Sequence, residues 1–126
     1  MVRQAHNKMY QILVVEDEPN LLRLYQKELE EEGFKVLTAT DGEQAINLTK
    51  RTLPDLVVLD IKINKVQGLE VLKQIKTFDS KISVILNSAY TTFKADFSCW
   101  MADAFIIKSS DLSELKRRIK ELLQLD

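Results

Sequence analysis

The sequence predicts an α/β domain built on a doubly wound parallel sheet of five strands. Three observations lead to it. Five short apolar runs alternate with five stretches of helical periodicity, the pattern of successive βαβ units. The run Leu56, Val57, Val58, Leu59 is apolar without alternation, as expected of a strand covered on both faces. At 126 residues, 45% hydrophobic and 29% charged, the chain can bury one core and has no room for a second domain.

The elements follow in order. The first strand is expected over residues 10–15. Pro19 then stands in the first turn of a helix, where its missing N–H costs nothing, and Leu21, Leu22, Tyr25 and Leu29 recur behind it at helical spacing. Gly33 ends that helix as a C-cap. A strand over 35–39 and a helix over 43–51 come next, with Asp41 and Gly42 in the turn between them. The third strand ends at Leu59, a helix runs over 69–78, and the fourth strand, 82–86, ends near Asn87 and Ser88. Phe93, Phe97, Trp100 and Ala104 mark a short helix, read as core first and partner surface second. The last strand covers 104–107 and stops at Lys108, and the final helix opens with Asp111 and Glu114 at capping-box spacing.

Composition excludes several functions. A formal charge of −1, with basic residues spread along the chain, gives no field for nucleic acid. The apolar runs stop far short of the roughly 20 residues of a membrane helix, and residues 1–8 lack the apolar core of a signal peptide. The expectation is an N-terminal tail over 1–8, a domain over 9–126 and a cytoplasmic location. His6 falls in the tail and receives no role. Cys99 is the only cysteine, so no intrachain disulfide or thiolate metal cluster forms, and it reads as a small structural residue.

The chemistry gathers where the strands end. Glu16, Asp17 and Glu18 follow the first strand, Asp60 the third, Ser88 the fourth and Lys108 the fifth. In open α/β sheets, ligands bind beyond the carboxyl ends of the strands, so these residues share one edge. Carboxylates forced together demand a cation, and Mg²⁺, which favours carboxylate, water and phosphate oxygens, supplies it. Asp60 could then attack a phosphoryl group, with Lys108 and Ser88 stabilising the transferred oxygens. Taken singly, Ser88 serves equally as a helix cap and Lys108 as an exposed lysine. Glu18 is assigned to the first helical turn, where negative charge is favourable.

Four segments in this order resemble the receiver domains of bacterial two-component response regulators, over essentially the whole chain. Val14, Val15, Glu16, Asp17, Glu18 and Pro19 match the acidic pocket. Residues 54–60, with Gly68, Leu69, Glu70 and Val71, match the phosphoacceptor segment; Ser88, Ala89 and Tyr90 match the hydroxyl segment, and residues 102–108 the segment ending in the lysine. The resemblance implies a (βα)5 flavodoxin-like receiver fold with strand order 2-1-3-4-5. It implies phosphorylation of Asp60 by a histidine kinase or histidine phosphotransfer protein. Mg²⁺ would be held by Asp17, Asp60 and the backbone carbonyl of Lys62, with Glu16 acting through water, and Phe105 would be a switch aromatic responding to Ser88. Such a domain is a signalling module, not an enzyme beyond promoting its own phosphotransfer and dephosphorylation. It is expected as a monomer or weak dimer. With no output domain visible after the last helix, it is expected to signal through another, unidentified protein rather than by binding nucleic acid or membrane.

The chain also departs from the family pattern. Members usually carry proline after the lysine, whereas here Ser109 and Ser110 follow Lys108. A cis bond to a non-proline residue costs about 3–4 kcal/mol, so a trans Lys108–Ser109 bond and a rearranged loop are expected. Asn64 stands where a proline is common and Gln67 where an acid is frequent. Lys62 is expected to screen the carboxylates or obstruct attacking water, lengthening the phosphoryl state. The span from Ser88 to Lys108 looks a residue or two short, implying a truncated fourth helix. A haloacid dehalogenase-type phosphotransferase would need a second aspartate where Lys62 stands, and a flavin binder would need a phosphate loop where Glu16, Asp17 and Glu18 stand. A divergent receiver acting as a phosphorylation-independent binding module is the competing reading.

Overall fold

The computed structural model describes residues 8–61, 65–89 and 101–125, with the side chains of 65–67 excepted. In chain order the elements are β1 (Gln11–Val15), α1 (Pro19–Glu31), β2 (Lys35–Ala39), α2 (Gly42–Thr52), β3 (Leu56–Leu59), α3 (Lys65–Phe78), β4 (Ser83–Ser88), β5 (Ala104–Ile107) and α4 (Ser113–Leu122). The five strands pair in parallel in the order β2-β1-β3-β4-β5, the fold and order expected. The helix expected around Phe93, Phe97 and Trp100, together with Cys99, Lys62, Asn64 and residues 1–7, lies outside the described residues.

Alternation along the strands divides the core into two layers. Ile12 and Val14 of β1, Leu56 and Val58 of β3, Ile85 of β4 and Ala104 and Ile106 of β5 face one layer, with Tyr25 and Leu29 of α1 and Leu115 and Ile119 of α4. Leu13, Val15, Val57, Leu59, Val84 and Leu86 face the other, packed with Ala45 of α2 and Val71, Leu72 and Ile75 of α3. Both faces of the central strands are thus dry, which is why β3 carries no polar alternation.

The ends of α1 are built from local chemistry. Glu18 caps it, its carboxylate accepting from the Leu21 N–H at 2.9 Å, and Pro19 fills the first helical position. At the other end Gly33 takes φ 96°, and its N–H and that of Phe34 donate to Glu30 and Leu29, closing a Schellman motif with Phe34 packed in the same core cluster as Leu29.

Two expectations are corrected. Asp111 and Glu114 form no capping box: Asp111 Oδ1 accepts from the N–H and hydroxyl of Ser113, the first residue of α4, and Leu112, at the cap, supplies no side-chain bond. The acid is one residue too early to reach the third helical N–H. Helix α3 begins at Lys65, a full turn before the expected residue 69. Gly68, a poor helix former, nonetheless lies inside α3, where the helix passes directly over the chain after β3. A Cβ at Gly68 would lie 2.8 Å from both the Cα and the carbonyl oxygen of Ile61, the residue after Asp60. Gly68→Ala therefore forces backbone apart at a cost of about 1–3 kcal/mol, offset by at most about 1 kcal/mol of better helix propensity. A lowered urea midpoint with unchanged slope is expected; an unaltered midpoint would show that α3 can simply shift outward.

Candidate functional site

Continuing each strand's alternation by one step places the site. After Ile12 and Val14 the next residue on that face is Glu16; after Leu56 and Val58 it is Asp60; after Ile85, Asn87; after Ala104 and Ile106, Lys108. Glu16, Asp60 and Asn87 thus stand in one row along the carboxyl edge, on the layer roofed by α1, with Lys108 one step beyond it, two residues after Ile106, the register partner of Asn87. Backbone pairing carries on past the strand ends to fix them: Glu16 N–H donates to Ala39, Asp60 N–H to Val15, and Lys108 N–H to Ser88, at 3.0, 3.1 and 2.7 Å. Side chains mounted on such a frame need little further ordering before reaction.

Lys108 ties the row together. Its ammonium donates to Glu16 Oε1 at 2.7 Å and to Asp60 Oδ2 at 2.9 Å. Both carboxylates are buried, each about 1% exposed, while Asp17 is exposed beside them. Glu16 Oε2 also accepts from the Glu18 N–H at 3.1 Å. One oxygen from each of Glu16, Asp17 and Asp60 lies within 4.8 Å of the others, a spacing and an all-oxygen donor set suited to a hard divalent cation.

The electrostatics reflect this crowding. Burial pushes the Glu16 carboxyl above its usual 4.5 and the charge of Asp60 adds to the push, against the opposing bond from Lys108. Burial alone would pull the Lys108 ammonium down, but its bonds and attraction to Glu16 and Asp60 outweigh this, and the group stands above 10.5. Lys108 is therefore a cation at neutral pH, facing more negative charge than it can neutralise.

Glu16, Asp17, Asp60 and Lys108 come together in one cluster, and Glu18 serves α1 as expected. Ser88 ends β4, wholly buried, and Phe105 on β5 is partly buried against the α2–α3 layer. The Lys62 carbonyl lies outside the described residues. No cis peptide bond occurs among the described residues, and a polar turn follows Lys108, in which Ser109 Oγ accepts from the Asp111 N–H at 3.1 Å. The trans bond is as expected, and the lysine reaches both carboxylates. Sequence reasoning gave no role to Asn87, whose side-chain amide donates to the Tyr25 hydroxyl at 3.0 Å, both groups buried. The one signal was an amide directly following the apolar run Val84, Ile85, Leu86. Burial raises the Tyr25 hydroxyl above 10.0, and Lys108, Glu16 and Asp60 all lie within its electrostatic reach.

A parallel sheet in this order, with an acid cluster tied to a lysine at its carboxyl edge, fits the receiver class of signalling domains that the sequence resembles. The chain belongs to the response regulator receiver domain family, whose model matches residues 12–120. It is 34% identical over 117 residues to the response regulator ArlR of Staphylococcus aureus, covering 92% of this chain and 53% of that protein. The chain thus spans about half the length of the curated relatives it matches. The response regulator protein TrrA of Thermotoga maritima, solved in complex with Mg²⁺-BeF, superposes with a TM-score of 0.87 at 41% identity, over 90% of this chain and 99% of that one. TrrA in complex with the histidine kinase ThkA matches with a TM-score of 0.84 at 42% identity, over 91% and 99% of the two chains.

Proposed function

We propose that this receiver accepts a phosphoryl group on Asp60 from a phosphohistidine of a histidine kinase or histidine phosphotransfer protein, in a Mg²⁺-dependent reaction. The observation that carries the reading is the Lys108 ammonium shared between Asp60 and Glu16 beside a third carboxylate. A carboxylate oxygen of Asp60 attacks phosphorus, the P–N bond breaks, and the imidazole nitrogen leaves with the electron pair. Lys108, already at Asp60, is placed to follow the charge onto the phosphoryl oxygens. Ser88 and Phe105 form the responding pair, the hydroxyl engaging the phosphoryl group and the ring moving with it. Asp17 and Asp60, with the Lys62 carbonyl and with Glu16 acting through water, would hold Mg²⁺, which would supply positive charge for the transferred oxygens.

Two similarities support this reading: TrrA was solved with Mg²⁺-BeF, and it was solved bound to a histidine kinase. The domain, over residues 9–126, then signals by protein contact to a downstream partner. No helix among the described residues is long and apolar enough to cross a membrane. The test is intact-mass measurement after incubation with phosphoramidate and Mg²⁺. A gain of one phosphoryl group, abolished by a chelator, is expected; an unchanged mass with Mg²⁺ present would overturn the proposal in favour of a phosphorylation-independent binding module.

A further inference from the structure

Lys108 lies one step past β5, and its side chain must cross the end of β4 to reach Asp60 on β3 and Glu16 on β1. The β4 residue nearest that crossing on the same face is Asn87, whose register partner on β5 is Ile106, two residues before Lys108. The register pairs Leu59 with Leu86, which brings Asn87 beside Asp60, on the same face as Ile85. Its amide is held by the Tyr25 hydroxyl of α1, and the two side chains are 3% and 2% exposed. The residues that follow Lys108 give its stem no apolar anchor, because Ser109 and Ser110 are exposed. Tyr25, Asn87, Ile106, Ile107, Ser109 and Leu112 instead wall one narrow cavity beneath this turn.

From this placement we infer that Tyr25 and Asn87 are a positioning pair, bonded to each other beneath the Lys108 stem so that the ammonium is delivered to Asp60. A buried amide is retained in an apolar strand because its bond to α1 fixes the floor over which the lysine extends. Without the hydroxyl, the amide loses its partner and the lysine gains alternative paths. The inference rests on the phosphoacceptor reading of Asp60.

The experiment compares parent, Tyr25→Phe, Asn87→Leu and the double variant, each also in a Lys108→Met background. Two quantities are read: the initial rate of phosphoryl uptake from phosphoramidate at saturating Mg²⁺, and the Mg²⁺ dissociation constant. Each single variant is expected to slow uptake on the order of tenfold, the rate equivalent of one lost hydrogen bond in positioning. The double variant should be no slower than either single one, Mg²⁺ affinity should be unchanged, and neither substitution should slow the Lys108→Met protein further. Tyr25→Phe removes a single hydroxyl and decides the matter even where Asn87→Leu fails to fold. Parent-like uptake by Tyr25→Phe, or a loss that simply multiplies with that of Lys108→Met, overturns the positioning role while leaving Asp60 as acceptor. A parent protein that takes up no phosphoryl group removes the proposed function, and the positioning role falls with it.

Discussion

Asp60→Asn is expected to abolish phosphoryl uptake, lowering its rate by several orders of magnitude, because an amide oxygen cannot serve as the attacking nucleophile. The substitution keeps the shape of the site: asparagine occupies nearly the same volume and its oxygen still accepts from Lys108. The folded protein should therefore persist, and at neutral pH it should unfold at no lower temperature than the parent. The charge of Asp60 is one of the causes that hold the Glu16 carboxyl above 4.5, so removing it relieves a like-charge contact in a buried place. What should vanish with the charge is stabilisation by Mg²⁺, since the cluster loses one of its three carboxylates. Intact mass and thermal unfolding with and without Mg²⁺ check both halves. Retained uptake in Asp60→Asn would move the acceptor to another residue, and peptide mapping would find it.

Lys108→Met is expected to destabilise the protein by about 3–5 kcal/mol at neutral pH, the range seen when one partner of a buried ion pair is removed. Methionine replaces the stem but supplies no cation, so Glu16 and Asp60 remain, each about 1% exposed, with neither of the bonds at 2.7 and 2.9 Å. The sign of the pH dependence follows from Glu16. Its folded carboxyl lies above 4.5 even with Lys108 present, chiefly through burial. An acid whose folded pKa exceeds its unfolded value contributes stability that is complete below the unfolded pKa and is lost as pH rises through the folded one. The defect of Lys108→Met should accordingly be small in acid, grow as pH rises from about 4.5, and shrink again when Mg²⁺ supplies the missing charge. Urea unfolding across pH, with and without Mg²⁺, reads all three. A loss of equal size at every pH would mean that the lysine stem, not its charge, matters to the fold.

Much of this was legible in the sequence because parallel sheets convert strand ends into a site. The unbroken apolar run before Asp60 located β3, and the carboxylates and lysine following the first and fifth strands meet Asp60 in one cluster. Glu18 and Gly33 declared the ends of α1 through local rules of capping. What escaped depends on distance in the chain. Tyr25 reads as one more apolar position of a helix and Asn87 as a polar end to a strand; only the folded chain joins them across 62 residues. The start of α3 is not a local matter either, since Gly68 ordinarily weakens a helix and its contact with Ile61 is not a local property. At α4 the capping-box spacing was present but displaced by one residue, and spacing alone does not register such a shift.

The row of Glu16, Asp60 and Asn87 on one face of the sheet, with Lys108 one step beyond it, carries a consequence for how the protein comes into being. Side chains alternate with a period of two, so a slip of one residue in any of these strands would turn its member of the row to the opposite layer. Glu16 and Lys108 stand 92 positions apart, so the bond between them closes only when the last strand has docked in its proper register. Closing a loop of that span costs more conformational entropy than forming contacts close in sequence. On the proposed reading of Asp60, a misregistered chain would lack the assembled cluster, and competence would arrive together with the completed sheet.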